Sequence, residues 1–194
     1  FQDFFSATTL DPAWQGTGGS QPGDGFLHFT GGSTRLYQPG VDYSNTPVDI
    51  LAVVKFNTIA AGDTGRAGLT AGSNLTGPFA GLGVRYLARQ DNNGIGDRHM
   101  SMLDEARFWG NGTAPSVFNM GTSYFLRFTY DPTTTGTMVG KLWPADGVTP
   151  ESSAVILTDT EAAHGIAAVN NRRGFAGFSV GGADNMDVDY VLIQ

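Results

Sequence analysis

The stretch Asp49–Asn57, with the sequence DILAVVKFN, decides the fold class. The even-numbered residues from Ile50 to Phe56 are all hydrophobic, whereas the odd-numbered residues include Lys55. Alternation with a period of two is typical of a β-strand that packs one face on a hydrophobic core. We therefore expect a strand over 49–57 whose Ile50 face is buried and whose Lys55 face points away from the core.

Short segments of the same character recur along the chain, separated by turns rich in Gly, Asn, Asp and Ser. The other candidate strands are 1–5, 25–29, 34–37, 66–71, 81–89, 98–103, 124–130, 138–143, 174–180 and 188–193. Gly94–Gly96 is predicted to form a tight hairpin turn. The long connection 144–173 is predicted to hold a strand-like piece at 154–157 and one or two helical turns within 160–169. Many short strands without a long helical period indicate an all-β sandwich or barrel. We predict one domain, 1–194.

Composition excludes several classes of function. The 194 residues contain no cysteine, which rules out disulfides and thiolate metal sites. The 11 basic and 18 acidic residues give a net charge of −7, which argues against a nucleic-acid partner. Apolar runs are too short for a membrane span, which needs about 18 residues. We also expect a monomer.

Three segments carry a family resemblance, and together they extend over nearly the whole chain. They are the opening FQDFFSATTLDPAWQ with GDGFLHF, the middle SYFLRFTYDP with TMVGKLWPADGVTPE, and the closing GFAGFSVGGADNMDVDYVLIQ. In order and spacing they resemble the concanavalin A-like lectin/glucanase superfamily, which includes laminin G-like domains. The resemblance implies a jelly-roll sandwich of two curved antiparallel sheets. It also implies a concave sheet face that often holds a polysaccharide.

A glycan or polysaccharide is therefore the expected partner, and a non-catalytic, lectin-like binding domain is the expected function. Sugar rings pack on aromatic side chains, and their hydroxyls bond charged and amide groups. The alternation that buries Leu126 and Leu142 sends the neighbouring cations and Trp143 to the opposite face of the strands. We expect Trp109 at the rim. The predicted ligand-binding set is Lys55, Arg85, His99, Trp109, Arg127, Lys141 and Trp143.

Two other functions stay open, because lectins, glycosidases, lyases and structural domains share this architecture. An enzyme would draw on Asp104, Glu105, His99 and Tyr86, although Asp104 and Glu105 are adjacent and would point to opposite faces of a strand. A glycoside hydrolase needs two carboxylates flanking the scissile bond, and the chain lacks the spacing that the resemblance would require. The third possibility is a structural or adhesive surface domain. In that case Trp143 caps the sheet and aspartates pair with the cations.

The resemblance also implies a structural Ca²⁺ held by acidic residues near the two termini. Calcium takes six to eight oxygen ligands, which carboxylates and turn carbonyls supply. The predicted ligands are Asp3, Asp187 and Asp189. The chain begins at Phe1 without Met and lacks cysteine, which favours a secreted or cell-surface bacterial protein. Trp14 is predicted to anchor the core near the amino terminus.

Overall fold

The computed structural model describes residues 1–37, 46–73, 83–90, 98–104, 107–111, 118–133, 135–164 and 175–194. Within these ranges it gives the backbone alone at 33–37, 62–64, 104 and 107–111. The predicted hairpin turn at Gly94–Gly96 lies outside the described residues. No helix in the described ranges is long and apolar enough to cross a membrane.

Fourteen strands form in the described part of the chain. In chain order, β1 to β14, they are Gln2–Asp3, Trp14–Thr17, Leu27–Thr30, Ser33–Tyr37, Val48–Thr58, Gly62–Ser73, Val84–Gln90, Arg98–Asp104, Arg107–Asn111, Ser123–Asp131, Thr137–Pro144, Val155–Thr160, Phe175–Val180 and Asn185–Ile193. Two short 3-10 turns lie at Glu151–Ser153 and Ala162–His164.

The strands pair antiparallel in two sheets. Sheet one has the order β1-β14-β5-β10-β11-β12, and β3 also pairs with β14. Sheet two has the order β2-β4-β13-β6-β7-β8-β9. The predicted all-β antiparallel jelly-roll sandwich is confirmed.

Strand β5 behaves as its sequence predicts. The even-numbered side chains from Ile50 to Phe56 are buried, and Leu51, Val53 and Lys55 are partly exposed. Strands β14 and β10 flank β5 on its two sides. This placement makes β5 a central strand of sheet one.

The core lies between the two sheets, where Tyr86 of β7 is fully buried. Its ring stacks on Phe128 of β10 at a centroid distance of 6.0 Å. A Cβ atom at Gly140 of β11 would overlap the Tyr86 ring, so the close approach of the sheets depends on a glycine there. The predicted core anchor Trp14 is confirmed, because it is buried and packs 5.6 Å from Phe178.

Asp184 joins three connections at one end of the sandwich. Its carboxylate accepts hydrogen bonds from the Ala60 amide at 2.6 Å and the Arg66 amide at 2.5 Å, in the segment from β5 into β6. Its backbone carbonyl accepts from the Gly31 amide at 2.9 Å, between β3 and β4. Full burial of this carboxylate is therefore compensated by backbone donors.

Several element boundaries differ from the sequence prediction. The predicted strand at 1–5 is shortened to Gln2–Asp3, since Phe5 takes a positive φ of 49° and turns into the core. The short strands β2 and β9 lack an alternating pattern and were not predicted. The strand-like piece at 154–157 extends to Val155–Thr160. Within the predicted helical region, the described part holds only the 3-10 turn Ala162–His164.

The Gly140→Ala substitution is expected to lower the free energy of unfolding by about 1–3 kcal/mol, because the new methyl group overpacks the Tyr86 ring. Gly182→Ala is the matched control, since nothing lies within 4 Å of its added Cβ. Urea denaturation of both variants measures the difference. Equal stabilities would show that this contact does not set the sheet spacing.

Candidate functional site

The predicted ligand-binding residues divide between the two sheets, which corrects the expectation that they share one face. Alternation along a strand shows on which side of its sheet a side chain lies. It does not show which of the two sheets the strand joins. Sheet one carries Lys55, Arg127, Lys141 and Trp143, and sheet two carries Arg85 and His99. Trp109 lies in β9 of sheet two, where the structure gives the backbone alone.

The cations at the centre of sheet one are paired with carboxylates. Arg127 donates from Nε to Asp49 at 3.0 Å and from Nη1 to Glu151 at 3.0 Å. Lys141 donates to Glu151 at 2.6 Å. The hydrogen bonds to Asp49 raise the pKa of Arg127, and the bond from Lys141 lowers the pKa of Glu151. These groups form a half-exposed network that ties the 3-10 turn at Glu151 to the sheet.

Trp143 is also held within sheet one. Its ring stacks on Phe125 of the neighbouring strand at a centroid distance of 5.1 Å and an interplanar angle of 19°. The two residues are direct cross-strand partners, on the face turned away from the core. Trp143 is nearly buried there, with 6% of its surface exposed.

A second charged cluster joins β3, β14 and β5 on the same face of sheet one. The His28 ring bonds Asp187 through Nδ1 at 2.7 Å and Asp24 through Nε2 at 2.9 Å. Lys55 lies 2.9 Å from the other oxygen of Asp187, and its ammonium group is 5.2 Å from the centre of the Phe26 ring. This cluster fastens the turn before β3 to the sheet.

The titrating groups of this cluster stabilise one another. Partial burial lowers the pKa of His28, but the hydrogen bonds to Asp187 and Asp24 raise it by more, so the net shift is upward. The bond to His28 lowers the pKa of Asp24. Burial raises the pKa of Asp187, and hydrogen bonds from Asn57, Lys55 and His28 reverse that shift. Protonated His28 can donate to both carboxylates at once.

The outer face of sheet two has a different character. Along β7, Tyr86 and Ala88 face the core, so Arg85, Leu87 and Arg89 point away from it. Both arginines are nevertheless buried, with 3% of Arg85 and 2% of Arg89 exposed. A sheet face turned from the core is buried only where other parts of the chain cover it.

Polar residues continue across this face onto the neighbouring strands. His99 of β8 is the direct partner of Arg89, and Ser101 is the partner of Leu87. Thr70 of β6 is the partner of Arg85. His99 is 5% exposed, and Ser101 and Thr70 are fully buried. Two guanidinium groups, one imidazole and two hydroxyls are therefore concentrated on three adjacent strands.

Sequence reasoning missed Arg89, Thr70 and Ser101. The signal for Arg89 was present, because it stands four residues after Arg85 and a period of two places both on one face. Thr70 and Ser101 carry no such signal, because a single Thr or Ser in a strand does not indicate a site. Only the strand register brings them beside the arginines.

Comparison with solved structures identifies the architecture. Lectin I-B4 from Griffonia simplicifolia, in its metal-free form, superposes with a TM-score of 0.70 at 10% identity, covering 100% of this chain and 98% of the lectin. The VIP36 exoplasmic/lumenal domain in its Ca²⁺/Man3GlcNAc-bound form gives 0.57 at 11% identity, covering 95% and 84%. The chain has a concanavalin A-like jelly-roll fold.

The same concanavalin A-like fold occurs within larger proteins. A bifunctional GH43-CE protein from Bacteroides eggerthii superposes with a TM-score of 0.59 at 13% identity. That match covers 100% of this chain and 25% of the other protein. No protein-family model matches the chain, and none of the curated proteins compared matches it.

The predicted calcium ligands of this concanavalin A-like domain do not converge, which corrects that prediction. Asp3 is paired with the core residue Val191 and so lies on the inner side of sheet one. Its oxygens accept from the Phe5 amide and the Trp14 indole. Asp187 is on the outer face with Lys55, and Asp189 is exposed within the bulge of β14. In the ranges that the structure describes, no group of three or more His, Asp or Glu is placed to hold a metal ion.

Two of the residues considered for an enzyme, Tyr86 and His99, are also separated. Tyr86 points into the core, where its hydroxyl has no hydrogen-bond partner among the described residues and burial raises its pKa. It therefore cannot act as a base beside His99 on the outer face. The side chain of Asp104 and the whole of Glu105 lie outside the described structure.

The His28 cluster predicts a dependence of stability on pH. Folding raises the pKa of His28 above its ordinary value of 6.5. Its stabilisation is therefore complete below pH 6.5 and is lost as the pH rises through the folded-state pKa. Urea denaturation across this window should show falling stability in the native protein and a flatter profile in His28→Gln.

His164→Gln is the control for this measurement, since His164 bonds Asp159 at 3.0 Å away from the cluster. The control should keep the native slope above pH 6.5. Parallel profiles for the native protein and His28→Gln would contradict the assignment of the slope to His28.

Proposed function

We propose that this domain binds a glycan through the outer face of sheet two, at the site centred on Arg85, Arg89 and His99. The supporting observation is the concentration of these groups on the two adjacent strands β7 and β8, on the side turned away from the core. A sandwich core requires none of them there. Burying charged groups is costly, so a sequence that keeps several on one face favours a role in recognition.

The chemistry of this face suits a hydroxylated ligand. Each guanidinium group has five N–H donors in a fixed plane, and hydroxyl groups both donate and accept. Leu87 and Leu103 lie on the same face and are fully buried, so they would contact the C–H surface of a sugar ring only after the ligand displaces what covers them. Trp109, on the neighbouring strand β9, is proposed as the aromatic residue at the rim.

The outer face of sheet one is less suited to the same role. Asp49 and Glu151 neutralise its central cations, and Asp187 neutralises Lys55. A sugar hydroxyl would have to compete with these carboxylates for each donor. We therefore assign Lys55, Arg127, Lys141 and Trp143 to the stability of sheet one.

We propose binding without cleavage as the activity of this site. On the part of the outer face where side chains are described, His99 is the one histidine. The catalytic pair of carboxylates that a glycosidase needs is not found among those side chains. A secreted or cell-surface location on a bacterium agrees with this function and remains part of the proposal, as does the monomer.

The low exposure of the arginines sets a condition on binding. A ligand reaches the arginines only if it displaces the groups that cover this face. The arginines then exchange contacts within the protein for contacts with the sugar. Hydrogen bonds to charged groups contribute more than neutral ones, and this exchange can be favourable when the geometry is retained. A substitution that changes the geometry of the arginine side chain and keeps its charge therefore tests the proposed site.

Arg89→Lys is expected to weaken glycan binding by about tenfold, because lysine keeps the charge but loses the planar bidentate geometry. Arg127→Lys makes the same change on the other outer face and should leave binding within about twofold. Retention of the native protein and both variants on a glycan and polysaccharide panel measures the effect, with thermal denaturation to verify folding.

The same panel should be assayed for new reducing ends and unsaturated uronates. Retention without product supports binding alone. Product formation would replace the proposal with an enzyme, and absence of both would favour a structural or adhesive domain. Equal weakening by the two arginine variants would remove the site from sheet two.

A further inference from the structure

Charged residues are distributed unequally between the strands of the two sheets. The acidic residues on the strands of sheet one are Asp3, Asp49, Asp131, Asp159, Asp187 and Asp189. The lysines and arginines on the same strands are Lys55, Arg127 and Lys141. Among the side chains of sheet two that the structure describes, none is an Asp or Glu, and the arginines are Arg66, Arg85, Arg89 and Arg98. The described side chains of sheet two are thus positively charged in a protein whose net charge is −7.

The two arginines of the proposed glycan site are held by contacts within the protein. Arg85 is 3% exposed and Arg89 is 2% exposed, and each interacts with other groups of the chain. A ligand that reaches these side chains takes the place of such groups. A buried guanidinium that is left without an acceptor is costly, so the ligand must supply an acceptor as good as the one it displaces.

This exchange favours an ionised acceptor over a neutral one. Hydrogen bonds in which the donor or acceptor is charged are about twice as strong as bonds between neutral groups. The fork of N–H groups on a guanidinium also matches the two oxygens of a carboxylate or sulfate, whereas a sugar hydroxyl offers one oxygen. A glycan with anionic groups therefore replaces the lost contacts of Arg85 and Arg89 better than a neutral glycan does.

The strand register sets two anchoring positions along β7. At one position Arg89 is the direct partner of His99, and at the other Arg85 is the direct partner of Thr70. The two arginines are four residues apart, which is about 13 Å along a strand that rises about 3.3 Å per residue. Leu87 lies between them. One small anion cannot reach both positions, but anionic groups repeated along a sugar chain can.

We propose that the ligand of this face is an acidic glycan, in which ionised carboxylate or sulfate groups are carried on neighbouring sugar rings. One anionic group accepts from Arg89 and His99, and another accepts from Arg85 and Thr70. The sugar between them lies over Leu87. This inference rests on the proposed function, since it names the ligand class of the same site.

Two matched pairs of polysaccharides test the charge of the ligand on the native protein. Polygalacturonate and its methyl ester share a backbone and differ in carboxylate charge, and dextran sulfate and dextran differ in sulfate charge. Isothermal titration calorimetry at about 0.15 M NaCl, where the Debye length is about 8 Å, limits long-range effects. The acidic member of at least one pair should bind at least about tenfold more tightly than its neutral partner. The pair that responds distinguishes carboxylate from sulfate.

Polyglutamate is the control for general affinity toward polyanions, because it carries carboxylates without sugar rings. It should bind at least about tenfold more weakly than the preferred acidic glycan. The net charge of −7 repels every polyanion at long range, so tight binding has to come from local contacts. A tetrasaccharide of the preferred glycan should bind more tightly than its monosaccharide, because only the longer ligand reaches both arginines.

Arg89→Gln tests the residue that carries the proposed charge contact. Glutamine keeps N–H donors and loses the charge, so the acidic glycan should bind about a hundredfold more weakly, against about tenfold for Arg89→Lys. Arg127→Gln makes the same change on sheet one and should leave binding within about twofold. Thermal denaturation verifies that each variant is folded, and the comparison of matched polysaccharides needs no variant.

The possible results separate this inference from the proposed function. Equal binding of the acidic and neutral members of both pairs, weakened in each case by Arg89→Gln, would overturn the acidic class and leave the glycan site in place. No binding to any glycan would overturn the proposed function itself. Polyglutamate that binds as tightly as the acidic glycan would also overturn the inference, by assigning the face to polyanions in general.

Discussion

The packing of the Tyr86 ring against Phe128 and Gly140 is the contact on which the rest of this structure depends. It joins β7 of sheet two to β10 and β11 of sheet one across the core. It also decides which side of β7 faces inward. Because side chains alternate along a strand, a buried Tyr86 sends Arg85 and Arg89 to the outer face. The core and the proposed site are thus two consequences of one strand orientation.

Both outer faces of the sandwich carry cations, but the surroundings of these cations differ. On sheet one, Arg127 lies between Asp49 and Glu151, and the ion pairs fasten a turn to the sheet. Such half-exposed pairs contribute modestly to stability and leave few donors for a ligand. On sheet two, Arg85 and Arg89 are buried, and the strand register places Thr70 and Leu103 beside Arg85 and His99 beside Arg89. The proposed glycan site is this second arrangement.

Much of the fold could be predicted from sequence because successive side chains of a strand point to opposite faces. A hydrophobic pattern with a period of two therefore identifies both the strand and its buried face. In β5 the pattern from Ile50 to Phe56 identified the strand and its buried face, and Trp14 was correctly placed in the core. The short strands β2 and β9 were missed, since their positions are set by pairing with neighbours and leave no alternating signal. Phe5 was misplaced because a left-handed backbone conformation redirects the chain after β1.

The site was harder to predict, and the reason is topological. Alternation showed that Arg85 and Lys141 point away from the core, but pairing alone puts them on opposite sheets. The same limit applies to Asp3 and Asp187. Both belong to paired strands near the termini, but they occupy opposite sides of sheet one. Neither the sequence separation of two residues nor their chemical type shows whether they lie on the same side of a sheet.

Amide hydrogen exchange with and without a glycan retained by the panel distinguishes the two outer faces. If the glycan binds at Arg85, Arg89 and His99, it slows exchange at 84–90 and 98–104, in β7 and β8, and leaves 123–131 and 137–144 of sheet one unchanged. Protection confined to the sheet-one strands would contradict it, and would place the binding face around Arg127 and Lys141.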